Sequence, residues 1–155
     1  FNKSPADYGA FPTDPYSHTP KGRGAQQPGM TGQVKEEILT RPAELGVRVR
    51  NGSIEFNPFL LRQIEFLEEP ITFSYVAPDG SEAGIDVPAG AFVFTLCQVP
   101  IVVRRSARSR MIVTLASGEQ SVIDGHRLDP ETSARIFARD GSVRALAVEM
   151  DTAHA

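Results

Sequence analysis

Tryptophan is absent from this 155-residue chain, cysteine occurs once, and tyrosine and histidine occur three times each. One cysteine excludes an intramolecular disulfide, and the alternating apolar residues around Cys97 suggest buried strand packing instead. The histidines, His18, His126 and His154, are far apart in sequence. No His-x-x-x-His or Cys-x-x-Cys spacing and no acidic calcium loop accompanies them, so the sequence gives no support to a metal site. Cationic excess is missing too: 16 Lys and Arg stand against 19 Asp and Glu, a net charge of -3. With so few aromatic rings for base stacking, that balance excludes nucleic acid from the expected partners. The longest apolar run, residues 91–103, is broken by Thr95, Gln98 and Pro100 and is too short for a bilayer, which excludes a membrane as well. No secretory or transit signal is visible, but a start at Phe1 rather than Met suggests a processed or excised piece of something longer, with which a signal could have been lost; the compartment stays open, with the cytoplasm slightly favoured. No nucleophile elbow is present. Gly22-x-Gly24 lacks the preceding strand and third glycine of a dinucleotide fingerprint, so no organic cofactor is implied.

What the chain does have is enough apolar residue, 41%, for one ordinary core, and three zones of different texture. Residues 1–30 read as an extended arm: prolines at 5, 12, 15, 20 and 28 interleave with Tyr8, Phe11 and Tyr16, and no helical or strand period runs through them. So many aromatics predict an arm packed on a surface or partner, since unstructured tails are usually poor in them. Residues 31–45 form the second zone, with a helix expected at about 32–41 and a kinked extension toward Leu45. There the glycine-rich loop 22–30 feeds Thr31 as N-cap, Glu36 and Glu37 suit the positive end of the helix dipole, and Val34 and Ile38 make an apolar stripe. Such a helix start presents unpaired N–H groups that suit a phosphate, a carboxylate or a sugar hydroxyl, although a plain cap explains the same residues.

Residues 46–155 alternate with period two between turn signals and predict a mainly β, antiparallel sandwich of roughly nine short strands. Asn51-Gly52 is the strongest hairpin signal, between strands at 47–50 and 53–56. Further strands are expected at 63–67, 71–76, 85–87, 92–97, 99–104, 111–115, 120–123 and 143–150. Phe92, Phe94 and Leu96 are expected to face the core. Asp129 and Pro130 start a short helix near 130–137. The arginines of loop 105–110 predict a solvated tip, and Gly125-His126-Arg127 a turn.

Five features line up along one stretch: Gly22-Arg23-Gly24, Thr31-Gly32, Gly46-Val47, Gly52-x-Ile54-x-Phe56-x-Pro58, and the aromatic strand Ile71–Tyr75. In that order they resemble the last inner helix of a six-hairpin (α/α)6 barrel running into its C-terminal β-sandwich. The likeness is to glycoside phosphorylases of the cellobiose, cellodextrin and chitobiose type, and more loosely the maltose and kojibiose type. In that family a Thr-Gly pair contacts the phosphate that attacks the anomeric carbon. The resemblance therefore implies that role for Thr31 and Gly32, with Arg23 of the same loop as a further candidate for substrate or phosphate contacts; His18, a lone arm histidine beside Ser17 and Thr19, is either solvated or one more such candidate. The family's loop is Trp-rich, whereas here it reads Ala25-Gln26-Gln27-Pro28-Gly29-Met30.

The family's general acid lies upstream of this stretch. Inverting glycosidases need two carboxyls about 6.5–9.5 Å apart, and this chain supplies at most one, for which Glu36 and Glu37 are the candidates. The resemblance thus implies the C-terminal portion of a glycoside hydrolase or phosphorylase, inert alone. Its partners would be a helical barrel in the rest of its parent polypeptide and an oligosaccharide, with inorganic phosphate as co-substrate if the reaction is phosphorolysis. The rival reading is a self-sufficient β-sandwich module for carbohydrate binding or protein interaction.

Overall fold

A computed structural model of the chain describes residues 40–58 and 60–151. The chain divides into two compact units, Phe1–Pro42 and Ala43–Ala155. The expected arm, the cap at Thr31 and the expected helix start lie outside the described residues, which open on the helical residues 40–44, named α1. It runs through Pro42 and is stopped by Gly46, whose φ of +69° is the left-handed geometry that ends helices and whose N–H donates to the Ala43 carbonyl at 3.1 Å.

Beyond Gly46 the fold is mainly β: half of it is strand, arranged as sheets of two, two and five strands. The first hairpin pairs β1 (Val47–Arg50) with β2 (Ser53–Phe56). Both turn residues, Asn51 and Gly52, have positive φ, the requirement of a type I′ turn that matches strand twist. The second pairs β3 (Ile71–Val76) with β4 (Glu82–Val87).

The five-stranded sheet is built from β5 (Ala91–Leu96), β6 (Val99–Ser106), β7 (Arg110–Leu115), β8 (Gln120–Asp124) and β9 (Val143–Asp151), in the order β5-β6-β9-β7-β8. Five of the six strand pairings in the described residues are antiparallel; β6 with β9 is parallel, which corrects the all-antiparallel expectation. The cause is α2 (Pro130–Ala138), which carries the chain from β8 back along the sheet so that β9 runs in the direction of β8. A parallel arrangement needs such a crossover.

Two apolar clusters occupy the two faces of this sheet. On one face Val99, Ile101 and Val103 of β6, Met111 and Val113 of β7 and Leu146 and Val148 of β9 meet Ile54 and Phe56 of β2 and Ile136 of α2. On the other, Val102 and Val93 meet Phe73, Ile85 and Val87 of the second hairpin. Successive residues of β6 alternate between the clusters, as the pleat requires. Phe92, Phe94 and Leu96 do face the larger cluster, but only partly buried, because β5 is an edge strand.

Two other expectations change. Residues 63–67 form no strand; Gln63–Glu65 is a 3-10 turn, held where the Glu65 carboxylate accepts the Arg62 N–H at 2.6 Å. This local bond competes with a ladder, and Ile64 is left 83% exposed while Phe66 is buried. Cys97 is a turn residue rather than a buried strand residue: with Gln98 it joins β5 to β6, both at positive φ (50° and 66°).

Candidate functional site

Every residue singled out in the sequence for catalysis or for binding substrate and phosphate, namely His18, Arg23, Thr31, Gly32, Glu36 and Glu37, lies outside the described residues. Among the described ones, no group of three or more His, Cys, Asp or Glu is placed to hold a metal ion. The arginines of loop 105–110 are dispersed rather than gathered: Arg105 donates to the Gln63 side chain and lies over the Phe66 ring, while Arg110 pairs with Glu149. Gly125 and His126 bend, as expected of a turn. The His126 carbonyl accepts the Phe56 N–H, and Arg127 bridges to Glu55, whose carboxylate also has Arg50 within 3.8 Å.

The chemistry that the fold does gather sits at one end of the β unit, in an open cleft of about 460 Å³ lined among others by Tyr75, Asp79, Gln98, Arg139, Asp140 and Arg144. Three turns converge there. The β3–β4 turn and the α2–β9 turn carry the same tripeptide, Asp79-Gly80-Ser81 and Asp140-Gly141-Ser142, and fold it the same way. In each, one aspartate oxygen accepts both the serine N–H and the serine hydroxyl: 2.9 and 2.6 Å at Asp79, 2.8 and 2.6 Å at Asp140. Each turn closes through a glycine at positive φ. The serine hydroxyl is the largest cause holding each of these two carboxyls below the usual carboxylate range, so both are ionised at neutral pH.

The cations of the cleft are placed by two irregularities. Arg139 ends α2 in the left-handed conformation, φ 53° and ψ 37°, where glycine is the ordinary residue. Arg144 belongs to a β-bulge: the register of β9 against β7 steps from Thr114↔Ala145 to Leu115↔Val143, leaving Arg144 with no partner on β7. The bulge returns Val143 to the core and keeps Arg144 exposed. Neither arginine has an ion-pair partner among the described residues. The wall is completed by Gln98, whose side-chain N–H donates to the Ala77 carbonyl at 3.2 Å and ties the sheet to the hairpin, and by Tyr75, whose ring lies nearly parallel to Phe73. Two opposite charge pairs cancel, so the lining is formally neutral. Both Asp-Gly turns were readable in the sequence. Their convergence was not, although the repeated Asp-Gly-Ser was a signal available to find it. The chain matches no known protein-family model and no curated protein.

Proposed function

We propose that this chain is the C-terminal portion of a carbohydrate-active enzyme, a glycoside hydrolase or phosphorylase acting on oligosaccharides, and that it is inert without the remainder of its parent. The observation that carries this reading is the close backbone contact at Gly46, within the β unit. A Cβ on Gly46 would lie 2.2–2.3 Å from the backbone of Asn57 and Pro58, so only glycine fits, and the Asn57 N–H donates to the Gly46 carbonyl at 2.7 Å. The glycine and proline spacing on which the family resemblance rests therefore has a physical reason here: a helix end, a hairpin and its exit are clasped backbone to backbone.

Four hydrogen-bonded carboxyls of the β unit are unsuited to the general-acid role. A general acid must hold its proton near neutral pH, whereas Asp79, Asp129, Asp140 and Glu149 are all held below the usual carboxylate range by hydrogen bonds. In this reading Thr31 and Gly32, with Arg23 and His18, belong to a sugar or phosphate subsite, and Glu36 or Glu37 is the one carboxyl the chain lends to it. The acid comes from a helical barrel in the parent. The two hairpins laid on the faces of the five-stranded sheet are read as a variant of the family's β-sandwich. A second reading, a self-sufficient binding module, is favoured by the two apolar clusters, whose described members all belong to the β unit.

Thr31→Ala in the parent enzyme separates a subsite at this helix start from a plain cap. Loss of a subsite lowers turnover at least about tenfold with little change in Tm, whereas loss of a plain cap costs about 1 kcal/mol of stability and leaves turnover per folded molecule unchanged. Sugar release measured with and without inorganic phosphate tells phosphorolysis from hydrolysis.

A further inference from the structure

We infer that the cleft between the two Asp-Gly-Ser turns is a binding site for a neutral saccharide, separate from any subsite at Thr31 and independent of whether the parent enzyme is active. Its volume, about 460 Å³, lies in the range of small-ligand sites, which run from about 300 to 1,000 Å³. Its charge decides the ligand class. An inorganic anion drawn to Arg139 and Arg144 would face the carboxylates of Asp79 and Asp140, and a polyamine drawn to the carboxylates would face the arginines. A sugar hydroxyl both donates and accepts, so a polyol satisfies guanidinium and carboxylate together without bringing a charge that either pair repels.

The donors and acceptors are also prepared in advance. Each aspartate uses one oxygen in its own turn, which fixes the carboxylate plane and leaves the second oxygen outside that turn. The Arg139 backbone holds a conformation that a glycine would adopt without strain, and the β9 bulge turns Arg144 out of the ladder. Tyr75, lining the cleft from β3, offers a ring to the apolar face of a pyranose. Fixing these groups before binding lowers the ordering cost of a weak, hydroxyl-rich ligand.

The experiment is an NMR titration of the 155-residue chain with two neutral tetrasaccharides, cellotetraose and maltotetraose, and with inorganic phosphate and spermidine as charged controls. At least one tetrasaccharide is expected to shift the amides of Gly80, Gly84 and Gly141, and neither control to do so. Arg139→Gly keeps the left-handed helix end, so its Tm is expected to equal or exceed that of the wild type while affinity falls at least about tenfold. Arg144→Gln, at an exposed bulge position, serves as the second variant with the same expected loss. The inference is overturned if neither sugar shifts these amides, if phosphate or spermidine shifts them as strongly, or if both folded variants bind as the wild type does. Because the readout is binding to this chain, its failure would leave the Thr31 turnover test untouched, and the reverse holds too.

Discussion

The two ends of α2 are built by opposite rules. At its N-terminus every polar group is committed to structure. Asp129 accepts the Thr132 N–H at 2.8 Å and the Thr132 hydroxyl at 2.7 Å, Pro130 fills the first helical turn, and the fully buried Ser133 hydroxyl donates to the Asp129 carbonyl and accepts the Ile54 N–H at 3.0 Å. At the C-terminus, nine residues on, an arginine occupies the left-handed position that glycine would take at lower cost, and it lines a cleft rather than closing a core. Local rules kept at one end and broken at the other mark the first as a fastening and the second as a place where stability was given up for something else.

The comparison breaks most violently in the middle of the helix. Ile136 is fully buried among β2 and sheet residues, so Ile136→Ala is expected to cost about 2–5 kcal/mol by chemical denaturation. A loss under about 1 kcal/mol would mean that α2 is not packed on the sheet as described. Next comes Ser133→Ala, which leaves the Ile54 N–H buried and unpaired and is expected to cost about 1–3 kcal/mol. Ser133→Thr keeps the hydroxyl, so comparing the two variants separates the lost bond from packing changes.

The smallest effect is the cap. The Thr132 N–H is the leading cause holding the Asp129 carboxyl below its ordinary value of 3.8. A depressed folded-state pKa contributes stability that is fully present above the unfolded value and is lost as pH falls through the folded one. Asp129→Ala should therefore cost about 1 kcal/mol at neutral pH, and the gap between variant and wild type should narrow below pH 3.8. Thermal melts across that range provide the check. A gap independent of pH would remove the charged cap from the account.

How much of this was legible in the sequence depended on whether the deciding interaction was local. Asn51-Gly52 and Asp129-Pro130 carry their turn and cap chemistry in adjacent residues, and both were read correctly. Cys97-Gln98 makes the same kind of two-residue turn without glycine, because pairing of Leu96 with Val99 forces it, and so Cys97 was expected on a strand. Residues 63–67 alternate as well as any strand, but no strand among the described residues pairs with them, and Glu65 closes a turn on Arg62 instead. The central place of β9 depends on which strands it meets after the α2 crossover, a non-local fact that alternation does not encode. The cleft was hidden for the same reason: only the sheet register and the β9 bulge bring Asp79, Asp140 and Arg144 to one place.

The central claim is that this chain lacks one half of a catalytic pair. The most direct test incubates the purified 155-residue chain with cello-, chito- and malto-oligosaccharides across acid to neutral pH, with and without inorganic phosphate, and measures released sugar. No release above the uncatalysed background is expected under any of these conditions, because the proposed reading puts the general acid in the parent's helical barrel and leaves this chain at most one carboxyl of the pair. Turnover by the chain alone would contradict the account and would place a complete acid and base within these 155 residues.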